Sequence, residues 1–334
     1  MKKILLLIFL ILFTLIYFWQ GIYISVDENS VDEEVFSIEK GEGVEEISIE
    51  LERQGLIKNR NFFRSYVFLT NRSKSLKAGD YLVSPSMNVA EIAEKIYKGE
   101  ILRKKITIIE GWNIRDIADY LEEEGLFSSQ EFLSLVGSFR EHELLSEKFG
   151  VLKDKPEDRN LEGYLFPDTY YLEKSAMPQD VAEIMIGNLD EKIDLEIKEE
   201  INNQDKSVFE IITMASLLEK EVRTLEDKKI VAGILWKRME IGMPLQVDAT
   251  IAYITGRDST RISKEETRID SFYNTYKYRG LPIGPICNPG FESILSSLYY
   301  KDSDYFYYLS TPEGETIFSR TLEEHNIAKA KYLK

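Results

Sequence analysis

The order of hydrophobic and polar positions predicts one long apolar segment followed by many short helices and strands. Residues 4–19 carry no charge, and after one glutamine the apolar run continues to Val26. This length is enough to span a bilayer, two lysines precede it, and no small-residue cleavage site follows it. We therefore predict a single-pass anchor over residues 4–26 in the cytoplasmic (inner) membrane, with the N-terminus inside and the remaining chain outside.

A pattern in residues 37–67 recurs in residues 107–136. Each copy predicts a short strand, a glycine turn, an amphipathic helix ended by glycine, and a second helix. The residues between the copies predict a further strand and helix. Compact α+β units of this kind include the LysM domain, which binds N-acetylated glycans. The pattern is equally consistent with a spacer that holds the next domain away from the membrane.

The second half of the chain begins with helical patterns and ends in loops. We predict a long helix over residues 179–202, a helix over 207–222 started by a Ser207–Glu210 capping box, and another helix from Thr224. Residues 244–300 are then rich in Gly, Pro, Asn, Thr and Tyr, which is typical of shaped loops that carry binding groups. A β-hairpin and a helix capped by Thr321 end the chain.

One carboxylate interrupts an apolar helix face. In the helix over 207–222, Glu219 lies on the same face as Ala215 and Val222. Burial makes a carboxylate costly to ionise, so we expect the pKa of Glu219 to be raised, as a general acid requires. The alternative is a structural carboxylate paired with a buried arginine or lysine.

Composition narrows the possible functions. The chain has 334 residues, enough for two or three domains, and its net charge of -16 disfavours nucleic acid as a partner. Because the chain has a single cysteine, Cys287, it cannot form an internal disulfide. Its two histidines are far apart in the sequence, which disfavours a metal site built from histidines. We predict no metal and no cofactor.

Five motifs, in order, resemble those of the MltG-type (YceG-like) endolytic murein transglycosylases. They read LEGYLFPDTY, MASLLEKEV, GMPLQVDATIAY, YNTYKYRGLPIGPICNPGFESI and TIFSRTLEEHN. The N-terminal anchor and the LysM-like pattern fit the same architecture. The resemblance implies an α+β fold with the following divisions: an anchor in residues 1–26, a LysM-like α+β module in 27–105, a second α+β module and connection in 106–160, and a catalytic domain in 161–334.

The resemblance also implies a reaction. Enzymes of this family cleave the β-1,4 bond between N-acetylmuramic acid and N-acetylglucosamine in peptidoglycan glycan strands, and they leave a 1,6-anhydro end. Their catalytic glutamate corresponds to Glu219, the first glutamate of LLEKEV. An internal hydroxyl acts as nucleophile, so one carboxyl group suffices where hydrolytic glycosidases use two. The expected partners are nascent glycan strands and the peptidoglycan synthases (penicillin-binding proteins) near which such strands emerge.

Supporting residues follow from the matched motifs. Asp248 either contacts sugar or caps the following helix, and Tyr164 either lines the glycan groove or packs inside. The candidate substrate-binding residues are Gln246, Asp248, Thr250, Asn274, Thr275, Tyr276, Asn288 and Tyr164.

Two other functions stay open. A muramidase-type hydrolase would use a second carboxylate, for which Asp248 is the candidate, and it would leave reducing ends. A non-catalytic glycan-binding scaffold of the cell-wall synthesis machinery would keep its cellular role after substitution of Glu219.

Overall fold

The computed structural model describes residues 2–257 and 262–333, without the side chains of residues 139–142. Contacts divide the described chain into two compact units. The first contains the residues up to Lys105 together with Tyr171–Ser175, and the second contains Ile106–Tyr170 and the residues from Ala176 onward. Helices and strands are mixed in both, as predicted.

The first unit is built on a two-stranded antiparallel sheet covered by short helices. Its elements before the unit boundary are α1 (Lys2–Tyr23), β1 (Glu34–Ile38), α2 (Val44–Arg53), α3 (Arg60–Leu69), β2 (Gly79–Val83) and α4 (Val89–Lys98). β1 pairs with β2 in a register that places Phe36 opposite Tyr81. Both side chains are fully buried beside apolar residues of α2, α3 and α4. The sheet thus turns one face to a core that the three helices close.

The N-terminal helix α1 begins with two lysines and carries no charge in the rest of its length. Its side chains from Ile4 to Trp19 are exposed, whereas Gly21 and Ile22 are buried. The helix is long and apolar enough to cross a membrane.

The second unit is mainly helical. Strands β3 (Arg103–Thr107) and β4 (Thr169–Glu173) form a two-stranded sheet, and each strand has residues assigned to both units. The elements that lie wholly within the second unit are α5 (Ile114–Glu123), α6 (Ser129–Val136), α7 (Phe139–Lys148), α8 (Pro178–Lys192), α9 (Leu195–Asn203), α10 (Val208–Glu221), α11 (Leu225–Glu240), α12 (Asp248–Thr255), α13 (Phe291–Leu298), β5 (Tyr307–Ser310), β6 (Thr316–Ser319) and α14 (Leu322–Tyr332). Two 3-10 turns complete it, at Gly150–Leu152 and Glu266–Arg268.

Three helices of this unit form its centre. The Ser297 hydroxyl of α13 donates to the Ile211 carbonyl of α10, and the Trp236 indole N–H of α11 donates to the Ser297 carbonyl. All three residues are buried. Hydrogen bonds in such surroundings fix the helices relative to one another, so groups on facing sides of α10, α11 and α13 are held at defined positions.

Several predictions of local structure are confirmed. In both copies of the repeat a strand leads through a positive-φ glycine, Gly41 or Gly111, into two successive helices. The Ser207 capping box, the Thr224 cap and the final hairpin and helix are also present.

Two predictions of local structure were wrong. The long helix expected over 179–202 is divided into α8 and α9, because the Asp194 side chain accepts a hydrogen bond from Ile197 N–H and starts a new helix there. The connection expected over residues 140–160 contains the helix α7 and a buried turn at Val151 and Leu152. The prediction of separate modules over 106–160 and 161–334 stays a prediction; both ranges, apart from Tyr171–Ser175, belong to the second compact unit.

Candidate active site

Helix α10 carries Glu219 in its last turn. The helix begins at the Ser207 cap, and its face formed by Val208, Ile212 and Ala215 is buried. One turn beyond Ala215, the Glu219 side chain keeps 10% of its surface exposed. The apolar stripe therefore ends in a carboxylate that is mostly buried but still reaches solvent.

A segment without regular secondary structure, residues 286–290, runs along α10 up to this carboxylate. Ile286 N–H donates to the Ser216 hydroxyl, and four residues later Gly290 N–H donates to Oε2 of Glu219 at 3.0 Å. On its other side the segment bonds to the turn after β3: Gly111 N–H donates to the Asn288 carbonyl, and Asn288 N–H donates to the Trp112 carbonyl. The segment thus joins α10 to the 110–112 turn.

Three groups hold the Glu219 carboxylate. Besides Gly290 N–H, the Ser293 hydroxyl donates to Oε2 at 2.6 Å, and the Lys228 ammonium lies 3.3 Å from Oε1 and 3.4 Å from Oε2. Gly290 caps α13 and Ser293 lies in its first turn, so the carboxylate is at the positive end of that helix. The Lys228 side chain, in the first turn of α11, is only 5% exposed.

The ion pair that was the structural alternative to a catalytic acid is therefore observed, between Glu219 and Lys228. Glu219 is bonded to a buried lysine, a hydroxyl and a backbone N–H, all of which stabilise a carboxylate. The same contacts fix the direction of the carboxyl group, which a catalytic acid also requires. The raised pKa that the apolar face suggested for Glu219 stays a prediction.

A second carboxyl group lies beside Glu219. The Glu110 carboxyl packs against the Cα of Gly290, where a Cβ would collide with it. The next residue, Gly111, lies against Glu219, since a Cβ there would be 3.6 Å from Cγ of Glu219. Glu110 is exposed, and its pKa is raised by partial burial and by the negative charge of Glu219. Two acidic groups therefore share the N-terminal end of α13.

Five of the predicted substrate-binding residues are buried. Thr250 and Thr275 bond to each other through their hydroxyls at 3.2 Å, and the Asn274 amide bonds to four backbone groups of its own loop. The Asn288 side chain accepts from Leu165 N–H at 2.9 Å and donates to the Trp112 carbonyl at 3.0 Å. Tyr164 is also fully buried. Their positions support the loops of the site from within.

Three of the predicted residues are accessible. Gln246 is exposed with a φ of 54°, while its backbone N–H donates to the Thr275 carbonyl. Tyr276 donates its hydroxyl to the Asp248 carboxylate. Asp248 is the first residue of α12 and makes no side-chain cap, so the capping alternative is absent here. The structure thus brings Asp248 and Tyr276 together as an exposed polar pair.

Glu221 lies near the Asp248–Tyr276 pair and not with the groups that hold Glu219. Its carboxyl bonds to the Tyr308 hydroxyl and to Ala249 N–H, close to Asp248. Burial and the nearby Asp248 charge raise the pKa of Glu221 to about 7. The two glutamates of the α10 terminus, two positions apart, therefore have separate sets of partners.

The comparisons with known proteins cover almost the whole chain. The model of the YceG-like family matches residues 36–331. The chain belongs to the YceG-like family. The endolytic murein transglycosylase of Bacillus subtilis is 32% identical over 315 residues, which cover 92% of this chain and 87% of that protein.

Proteins of the same name from two strains of Streptococcus pneumoniae are 32% and 31% identical over 92% of this chain, which spans 60% of their length. The crystal structure of a yceG-like protein from Listeria monocytogenes is similar with a TM-score of 0.63 and 32% identity. That similarity covers 90% of this chain and 100% of the Listeria chain. The family match includes every residue described above for the site.

Sequence reasoning missed four residues of this YceG-like site. Lys228 and Ser293 contact Glu219 from other helices, and Glu110, in the turn after β3, lies against Gly290 beside it. Glu162 is buried and accepts from Ile114 N–H and the Tyr253 hydroxyl, both at 3.1 Å; burial raises its pKa to about 8. One signal was available: Glu110 and Glu162 lie in the glycine-flanked stretches IEGWN and LEGYL.

Proposed function

We propose that this chain is an endolytic murein transglycosylase. It cleaves the bond between N-acetylmuramic acid and N-acetylglucosamine inside peptidoglycan strands, and Glu219 is its catalytic acid. The observation that carries the proposal is the Glu219 carboxyl group, oriented by Gly290 and Ser293 and still partly exposed at the end of an otherwise buried helix face. The names of the related proteins support the same reaction class.

The proposed reaction balances without added water. Protonated Glu219 gives its proton to the glycosidic oxygen as the bond from that oxygen to the anomeric carbon breaks. The 6-hydroxyl of the same muramyl residue then bonds to the anomeric carbon, and its proton passes to the Glu219 carboxylate. The products are a free 4-hydroxyl on one fragment and a 1,6-anhydro end on the other, and the acid is regenerated.

The surrounding groups divide the remaining work. Lys228 stabilises the carboxylate that exists after Glu219 has given up its proton. Glu110, as a carboxylate, stabilises positive charge at the anomeric carbon. We assign sugar contacts to the accessible residues Gln246, Asp248 and Tyr276, and loop support to the buried residues Thr250, Asn274, Thr275, Asn288 and Tyr164.

Analysis of the released fragments tests this function. Full-length protein in detergent, incubated with purified peptidoglycan, is expected to release anhydro-muramyl fragments detectable by mass spectrometry. Glu219→Gln is expected to release them at least about 100-fold more slowly, whereas Glu199→Gln, at an exposed position on α9, keeps the activity. Fragment release by Glu219→Gln at the wild-type rate would contradict the assignment of the acid.

A muramidase-type hydrolase is the second candidate, and the contact of Glu110 with the Glu219 site favours it. Hydrolytic glycosidases place two carboxyl groups about 5–10 Å apart across the scissile bond. Glu110 is a better second carboxyl than Asp248, because Asp248 lies with Glu221 and Tyr276 instead. Reducing ends in place of anhydro ends in the same experiment would establish hydrolysis.

We also propose that α1 anchors the protein in the cytoplasmic membrane, with the N-terminus inside and Glu219 outside. Two lysines before the apolar run support this orientation. The order strand, helix, helix, strand from β1 to β2 supports a LysM-like module that binds glycan. Nearby peptidoglycan synthases are the expected protein partners. Binding of chitooligosaccharide to the full chain, tested with Glu219→Gln, examines the glycan-binding proposal separately from cleavage.

A further inference from the structure

Helix α3 lies directly against α1. The Phe62 ring meets the Tyr17 and Phe18 rings edge-on, at centroid distances of 5.4 and 5.6 Å. It also covers Gly21 so closely that a Cβ there would overlap the ring. The C-terminal half of α1 is therefore in contact with α3 within one compact unit.

Beside this contact the two helices share an apolar face. An open groove of about 410 Å³ is lined by Leu15 and Phe18 of α1 and by Phe68 and Leu69 of α3, among others. Phe68 and Leu69 are each 77% exposed. We call Leu15, Phe18, Phe68 and Leu69 the α1–α3 patch. Adjacent large apolar side chains at this exposure are costly in water and typical of a surface that meets lipid or another protein.

The length of α1 sets the depth of the patch. Its 22 residues measure about 33 Å, and the hydrocarbon core of a bilayer is about 30 Å thick. A spanning α1 therefore uses nearly all of its length. Leu15 and Phe18 lie five to eight residues before the helix end at Tyr23, or roughly 8–12 Å along its axis. The α3 residues beside them lie at a similar depth.

The charge of the surrounding segment fits an anionic membrane surface. Residues 57–79 contain six basic residues and no acidic residue, in a chain whose net charge is -16. The basic residues are Lys58, Arg60, Arg64, Arg72, Lys74 and Lys77. The three arginines of this segment form ion pairs with glutamates of the first unit, and these pairs hold the arginine side chains around α3. Basic residues beside an apolar insertion are the usual composition of an interfacial helix.

We infer that the α1–α3 patch is a lipid-contact surface, with Phe68 and Leu69 inserted below the headgroups of an anionic bilayer. The inference rests on the anchoring by α1 proposed above. It adds that the first unit is held against the membrane at two points, the span and the tip of α3. Such a unit has a fixed height and tilt above the bilayer, which a flexible tether does not provide.

Quenching by lipids tests this surface in the full chain. In a Cys287→Ala background, single cysteines at positions 7, 68 and 35 are labelled with a fluorophore, and the protein is reconstituted into phosphatidylglycerol vesicles containing brominated lipid. Leu7 reports insertion of α1, and Val35, 50% exposed on β1, is the matched apolar control. We expect quenching at position 68 to approach that at position 7 and to exceed that at position 35 about threefold.

The outcomes separate the two proposals. Quenching at position 7 but not at 68 would overturn the lipid-contact surface and leave the anchor intact. Absence of quenching at position 7 would overturn the anchor and, with it, the surface that rests on it. Protection of position 68 from lipid, together with cross-linking of Phe68→Cys between two copies, would assign the patch to a second chain and overturn the inference.

Discussion

Replacement of Glu219 by glutamine separates its proposed catalytic role from its structural role. Glutamine has nearly the same shape and can still accept hydrogen bonds from Gly290 N–H and the Ser293 hydroxyl. It cannot transfer a proton, so cleavage is expected to slow by about 10²–10⁴-fold, the usual contribution of a general acid. It also leaves Lys228, whose side chain is 5% exposed, without a carboxylate partner.

The stability effect follows from that buried lysine. Removing one member of a buried ion pair lowers the free energy of unfolding by about 3–5 kcal/mol. Glu219→Gln should lie at the lower end, at about 3 kcal/mol, because the amide oxygen still accepts hydrogen bonds. For a unit of this size the expected fall in Tm is about 6–12 °C. The double variant Glu219→Gln with Lys228→Met removes the unpaired charge and is expected to recover most of this loss without recovering activity.

Calorimetry of the full chain, with fragment release from peptidoglycan, measures both effects. An inactive double variant with near-wild-type Tm places the loss in chemistry rather than in unfolding. Cleavage by the double variant above about a tenth of the wild-type rate would refute Glu219 as the acid. A Tm of Glu219→Gln equal to that of the wild type would refute the ion pair as a stabilising contact.

Three further predictions concern other residues of the second unit. Glu110→Gln removes the negative charge proposed to stabilise positive charge at the anomeric carbon, so fragment release should slow. Gly290→Ala, whose Cβ displaces the Glu110 carboxyl, should slow it as well, and wild-type rates in both variants would exclude this role. The pKa of Glu162 is raised from 4.5 to about 8, so the free energy of unfolding of the wild type should fall as pH rises between these values. Glu162→Gln should reduce this fall by on the order of 4 kcal/mol, as measured by urea unfolding at several pH values. Gly233→Ala should lower stability by about 1–3 kcal/mol, because its Cβ would collide with the backbone carbonyl of Lys301, and an unchanged unfolding midpoint would contradict that contact.

Local structure could be predicted where short-range rules decide it. The α10 helix follows from a capping box and a helical apolar period, both readable within sixteen consecutive residues. The break between α8 and α9 was missed, although Asp194 is a good cap, because apolar residues continue on both sides of it. A cap inside a periodic segment competes with helix continuation, and packing decides between the two.

The groups that surround Glu219 could not be predicted in the same way. Lys228, Ser293 and Glu110 are 9, 74 and 109 residues away along the chain, and each comes from a different element. A single sequence carries no record of which helices pack together. The apolar helix face and the family resemblance each selected Glu219. The resemblance also selected buried residues such as Asn274 as sugar contacts, because motif identity does not distinguish loop support from binding.

The internal repeat shows most directly why local pattern and function separate. Gly41 and Gly111 occupy equivalent turns, and both adopt a positive φ before the first helix of their copy. A Cβ on Gly41 would meet no atom within 4 Å, whereas one on Gly111 would contact Glu219 and Lys220. The residue before the glycine is Lys40 in the first copy and Glu110 in the second. The same backbone turn is therefore a plain connection in one unit and lies against the Glu219 side chain in the other. The two turns differ in the helix that packs against them. Replacing Glu110 with lysine, the residue at the same position of the first copy, should abolish cleavage while leaving the turn intact.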